Sequence, residues 1–279
     1  MAEFYIKFWG TRGTIPVVSQ DVLHYGGNTS CIEVRCNGRQ IILDAGTGIY
    51  ILGLQTEIYH TDILLSHSHL DHIQGLPFFK PLHTGGDANV ALWAGHLLPE
   101  NSIMAAIDSI MSSPLFPLTI KDVRSRVEFN DFRAGTTLVN EGFELAGIKV
   151  HTKPLSHPDR ATAYRIEFEG KSVCYVTDVE HKIGKIDKEL IKFIKGADIF
   201  IYDSTFDDDS FAPFVGWGHS TWQEGVRLAN AAGVKHFVAF HHDPATKDSE
   251  LDKRQKKLQK INKNYLFARE GMVMDLMEK

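Results

Sequence analysis

The chain has 279 residues, 43% of them hydrophobic and 23% charged, with a formal net charge of −5. This is enough apolar material for a sizeable core, and the acidic balance excludes a global attraction to nucleic acid or to anionic membrane. The N-terminal residues show no signal peptide, no apolar run approaches the ~20 residues of a spanning helix, and three cysteines in no ligand spacing point to reduced thiols in a cytoplasm.

Residues 4–9 read as an opening strand, closed by Gly10 and a turn through Pro16. The polar loop Gly26-Gly27-Asn28-Thr29-Ser30 leads into a strand over 31–35, and Asn37-Gly38 marks a tight hairpin into 40–43. Asp44-Ala45-Gly46-Thr47-Gly48 ends that strand ahead of a helix over 49–58. Without a following Lys or a GxGxxG pattern, its glycines serve close backbone approach better than phosphate binding.

The apolar run Ile63-Leu64-Leu65 then delivers Ser66-His67-Ser68-His69-Leu70-Asp71-His72. His67 and His69 alternate along an extended chain and share one side, whereas Asp71 and His72 fall where the chain turns. Three imidazoles and a carboxylate at a strand end answer no packing need. They point to a two-metal site that needs further ligands.

Beyond the cluster come a loop through Gly85-Gly86, a strand over 90–94 and a helix over 101–111. Ser112-Ser113-Pro114-Leu115-Phe116-Pro117 excludes regular structure and suits a lid or a packing loop. The second half repeats the rhythm, with strands near 148–152, 163–168 and 172–176 and a helix over 187–195. A strand over 199–202, a helix over 221–232, a strand over 236–240, a charged helix over 249–262 and a strand over 272–276 complete it. The basic run from Lys253 to Lys263 reads as a solvated helix face. No linker interrupts this order, so one α/β domain spanning 1–279 is expected, with two sheets packed together and helices outside.

Catalytic groups in layered α/β folds gather at strand ends. In the second half these offer His157, Asp178 and the pair His241-His242. Together with the first cluster, the chain resembles the metallo-β-lactamase superfamily, whose signature is HxHxDH followed by a distant His, Asp and His. The resemblance implies a four-layer αβ/βα sandwich of two mixed sheets. It also implies His67, His69 and His157 on one metal, Asp71, His72 and His241 on a second, and Asp178 bridging both. His241 is preferred to His242 because it comes first after the apolar strand. Imidazole and carboxylate without thiolate suit two divalent ions, Zn²⁺ first, with Mn²⁺ or Fe²⁺ as alternatives. Two such ions about 3.5–4 Å apart can activate a bridging hydroxide and stabilise a leaving oxygen. Aspartate at the bridge disfavours the β-lactamase branch, and His69 in place of Glu disfavours the di-iron branch.

Two further pieces narrow the branch. Asp203-Ser204-Thr205-Phe206 and Gly218-His219-Ser220-Thr221 are similar to a pair in the tRNA 3′-processing endonucleases, implying His219 as general acid and Asp203 as its orienting partner. With Asp71 these are the candidate catalytic residues. The chain departs from that family by a plain hairpin between His157 and Asp178, where the family carries a tRNA-gripping arm, and by His241-His242-Asp243-Pro244 as its last motif. These departures argue against a structured RNA substrate. An inserted segment over about 81–131, acting as lid or homodimer contact, would roof a small phosphodiester, a cyclic nucleotide first. Asn28, Phe116 and His242 are then candidate substrate contacts. Alternatives are tRNA 3′-end processing, thioester or lactone hydrolysis, and a non-catalytic metal-binding sensor.

Overall fold

The computed structural model of the chain describes residues 3–58, 60–138 and 147–278. Among them, period-two alternation of apolar side chains builds two sheets. The first half supplies β1 (Phe4–Gly10), β2 (Cys31–Cys36), β3 (Arg39–Leu43), β4 (His60–Leu65), β5 (Asn89–Ala94) and β6 (Arg126–Asp131). The second supplies β7 (Lys149–Leu155), β8 (Ala161–Phe168), β9 (Lys171–Val176), β10 (Ile199–Asp203), β11 (His236–Phe240), β12 (Tyr265–Phe267) and β13 (Val273–Asp275). One sheet runs β13-β1-β2-β3-β4-β5-β6 and the other β12-β11-β10-β9-β8-β7. Both are mixed, as expected. In the first, β3 to β6 are mutually parallel, and in the second β9 to β12 are.

The alternation explains the layers. Phe4, Ile6 and Phe8 of β1, Leu64 of β4, Val173 and Tyr175 of β9, and Val238 and Phe240 of β11 meet in one core between the sheets. The intervening residues face outward. Ile63 and Leu65 pack under the helices Gly48–Gln55 and Ile103–Ile110, while Cys174, Phe200 and Phe237 pack under Lys188–Ile194, Trp222–Ala232 and Asp248–Ile261. Each fully buried aliphatic or aromatic side chain is worth about 1.5–3 kcal/mol, so the inter-sheet layer and the two layers under the helices all contribute to stability. The result is the four-layer αβ/βα arrangement.

The elements depart from the sequence reading in three places. The segment over 81–131 carries β5 and β6, which extend the first sheet, with the helix Ile103–Ile110 and the proline stretch between them. The presumed loop before Gly85 contains the short helix Lys80–Thr84. The strands β6 and β12 escape a reading by alternation: β6 is a half-exposed edge strand and β12 only three residues long. The hairpin between His157 and Asp178 is as short as its sequence suggests, being β8 and β9 joined at Glu169-Gly170.

Candidate metal centre

Ligand side chains come from the C-terminal ends of strands in both sheets, where the backbone turns sharply. Asp44 after β3, Asp178 after β9 and His241 after β11 adopt left-handed φ of 61°, 53° and 60°. Such conformations are costly for residues with a Cβ and persist where the surroundings over-determine them. Here they turn each side chain in toward a common point between the sheets.

Asp178 lies at that point with 1% exposure. Its Oδ2 is 3.2 Å from His72 Nε2 and 3.4 Å from His241 Nε2, and its Oδ1 is 3.7 Å from His67 Nε2. Asp71 Oδ2 closes the second group, 3.3 Å from His72 Nε2 and 3.2 Å from His241 Nε2. On the other side, ligand atoms of His67, His69 and His157 lie within 4.8 Å of one another. One carboxylate therefore turns one oxygen to each ligand group, the geometry of a bridge.

The groups outside the clusters fix tautomers and ring orientation, as metal-bound imidazoles require. Asp44 accepts hydrogen bonds from Ser66 N (2.6 Å), Ser66 Oγ (2.7 Å) and Tyr175 Oη (2.7 Å), and lies 2.7 Å from His72 Nδ1. Asp159 holds His69 Nε2 at 2.8 Å, which leaves Nδ1 for a metal. The Thr205 hydroxyl lies 3.0 Å from His241 Nδ1. Glycines admit the rings: a Cβ at Gly13 would stand 2.1 Å from His241 Cε1, and one at Gly218 would stand 2.4 Å from His157 Cδ2.

The residues present fit two cations. His67 Nε2 and both ring nitrogens of His157 are buried without a hydrogen-bond partner, a cost that a metal bond would remove. Burial pushes His67 well down and His157 to about 4, so both offer neutral lone pairs. Burial also opposes a charged His72, but Asp71, Asp178 and Asp44 outweigh it and raise its pKa well above the usual value. The same negative field would hold a cation. His67, His69 and His157 would hold one ion, Asp71, His72 and His241 the other, and Asp178 both.

Beside the bridge, His219 Nδ1 lies 2.9 Å from Asp203 Oδ2 and 3.7 Å from Asp178 Oδ1. Burial opposes its charged form, but Asp203 first, then Asp178 and Asp71, bring its pKa up to about 9. Asp203 is wholly buried and also accepts from the backbone amides of Asp178, Thr205 and Ser220. The His219 ring stacks on His241 at 4.9 Å and 27°. The His219 ring thus stands beside the bridge, held through Nδ1, with Nε2 left to serve a reacting oxygen.

The three candidate substrate contacts fare differently. His242 is 1% exposed, its Nε2 donates to Ala268 O, and its ring packs between Tyr25 and Phe267. Asn28 is consumed by structure: its amide and side chain bond both oxygens of Glu270, and its Oδ1 accepts from Thr47. Phe116 packs edge-on against Phe78 at 5.5 Å and against the outer core. Conversely, Asp44, Asp159 and Thr205 support the ligands without having been singled out. Asp44 could have been found from its place, since an acid directly after the buried strand Ile41-Ile42-Leu43 needs partners.

Residues 39–242 match the family model described as a beta-lactamase superfamily domain. A ribonuclease Z from Halalkalibacterium halodurans is 35% identical over 98% of each chain, and one from Methanopyrus kandleri is 26% identical over 86% of this chain and 87% of its own. Among solved structures, a metallo-β-lactamase fold protein from Bacillus subtilis superposes with a TM-score of 0.71 at 16% identity, covering 99% of this chain and all of the other. A diphosphatase of the PhnP family reaches 0.69 at 20% identity over 97% of each chain, and the short form of human tRNase Z 0.66 at 18% identity over 97% and 98%. At these identities the structures share the fold.

Proposed function

The chain belongs to the metallo-β-lactamase superfamily of hydrolases, and from that premise we propose that it is a two-metal phosphodiesterase acting on nucleotide phosphodiesters. One observation carries the reading. His219, fixed by Asp203 at 2.9 Å, stands 3.7 Å from the oxygen of Asp178 that faces His67. An imidazolium beside a bridging carboxylate suits expulsion of a poor alkoxide, the difficult part of phosphodiester cleavage. Acyl transfer to water has less need of it.

Two divalent ions bound there would supply Lewis acidity and a nucleophilic water near neutral pH. The chain's own residues do the rest. Asp178 and Asp71 place negative charge where cations must sit, and Asp203 keeps His219 oriented through Nδ1, so that Nε2 can give its proton to the departing oxygen. Asp44, Asp159 and Thr205 hold the ligand rings so that little rearrangement accompanies the reaction.

For the substrate, the curated relatives reverse the order expected from the sequence. Those cited above are named ribonuclease Z, which favours RNA 3′-end processing over a cyclic nucleotide. A small phosphodiester stays as the second reading on one observation: the β8–β9 hairpin leaves no arm between His157 and Asp178 to grip a folded RNA. Purified protein supplied with Mn²⁺ or Zn²⁺ should hydrolyse bis(p-nitrophenyl) phosphate. Metal-loaded protein that leaves it intact would end the phosphodiesterase reading. Cleavage of a precursor tRNA at its 3′ trailer, set against cleavage of a 3′,5′-cyclic nucleotide, then chooses the substrate.

A further inference from the structure

We propose that Trp217 is the stacking platform for a nucleobase carried on the leaving-group side of the substrate, an inference that rests on the phosphodiesterase reading. Trp9, Trp93 and Trp222 are 8%, 6% and 5% exposed, whereas Trp217 is 62% exposed. Of the four indoles, Trp217 alone has a ring open to a ligand. This one is held in place. Its backbone amide donates to Phe214 O at 3.1 Å, and the amides on either side, Gly216 N and Gly218 N, donate to Glu180 Oε2 at 2.6 and 3.0 Å. A loop clamped at both flanks around an exposed indole is ordered to display it.

The position decides what it displays the ring to. Gly218, at φ +88°, lies against the His157 ring, and His219 follows directly. An aromatic series then leads outward from the proton donor. Phe206 meets His219 edge-on at 6.1 Å, Phe214 stacks on Phe206 at 4.5 Å and 10°, and Trp217 meets Phe214 edge-on at 5.2 Å. Trp217 therefore stands at the outer end of a run of rings that begins at His219, the residue proposed to protonate the departing oxygen. A planar heteroaromatic ring attached through a sugar to that oxygen is the group this face fits. Base stacking on an aromatic side chain tolerates any base and is worth a factor of about ten or more in binding.

The test compares a dinucleoside monophosphate with its counterpart lacking the base on the leaving nucleoside. In Trp217→Ala the ratio of kcat/KM between the two should fall about tenfold, through KM of the intact substrate, and Trp217→Phe should restore most of it. In the unaltered protein, adenosine 5′-monophosphate should shield tryptophan fluorescence from acrylamide, because Trp217 is the exposed indole. An unchanged ratio in a variant that still binds its metals overturns the inference and leaves the phosphodiesterase reading standing. Failure of the unaltered protein to cleave either substrate overturns both.

Discussion

Oδ2 of Asp44 lies 2.7 Å from Nδ1 of His72, and both side chains are sealed from solvent. The same carboxylate also gathers Ser66 and Tyr175, the latter reaching across from the opposite sheet. Asp44 thereby links the His72 imidazole to the packing of the whole sandwich. Asp44→Asn would turn an amide donor toward groups that donate, leaving buried donors unpaired. We expect metal affinity to fall about 10- to 100-fold and stability to fall by about 1–3 kcal/mol. Titration with Zn²⁺ followed calorimetrically, together with a denaturant melt of the metal-free protein, separates the two effects.

Gly13 and Gly218 offer opposite lesions. A methyl at Gly13 would enter the His241 ring, whereas one at Gly218 would enter the His157 ring and also oppose a φ of +88°. Gly13→Ala should therefore weaken the site of Asp71, His72 and His241, and Gly218→Ala the site of His67, His69 and His157. Each variant should bind close to one ion per chain by elemental analysis after desalting. Two ions retained in either would show that the rings have room to move.

His219→Ala should keep both ions, since His219 does not complete either three-residue ligand group. Its turnover of substrates with alkoxide leaving groups should fall by about 10²–10⁴-fold. The loss with p-nitrophenolate should be much smaller, because that anion leaves without a proton. Equal losses on both substrate classes would assign His219 to binding instead of proton transfer.

The thiols make a prediction about chemical reactivity. Burial pushes Cys36 and Cys174 up to about 12 and Cys31 well above its usual value, and all three side chains are buried. At pH 8 each stays a protonated thiol, which is not a nucleophile. The folded protein should react with no equivalent of a thiol-specific disulfide reagent and the urea-unfolded protein with three. Rapid labelling of the native chain would show that one of the packed layers opens.

Much of this site was legible before any fold was known. His67, His69, Asp71 and His72 fall within six residues of one chain segment, and strand alternation alone puts the first two on one side. Asp178 and His241 stood out because His241 directly follows an apolar run and Asp178 follows one after a single threonine, and a strand end is where polar groups leave the core. The pairing of Asp203 with His219 was an expectation from resemblance, and their contact at 2.9 Å accords with it.

Other features needed the tertiary structure. Nothing in the residues around Asn28 says that both oxygens of Glu270, 242 positions away, would occupy it. His241 and His242 are neighbours of one residue type, yet the left-handed turn at His241 sends its ring to Asp71 and Asp178 and the next ring into the core against Tyr25. The sequence reading places one strand in the 81–131 segment, and only the parallel pairing of β5 with β4 and β6 shows that it continues the first sheet with two. What the sequence by itself determined was local: residue type, period-two patterning and the order of ligands along the chain. What the structure decided was which oxygen of Asp178 faces which imidazole, which acids hold the rings, and which indole is left in water. These depend on distances between segments far apart in the chain, set by the packing of two sheets, and no local pattern encodes them.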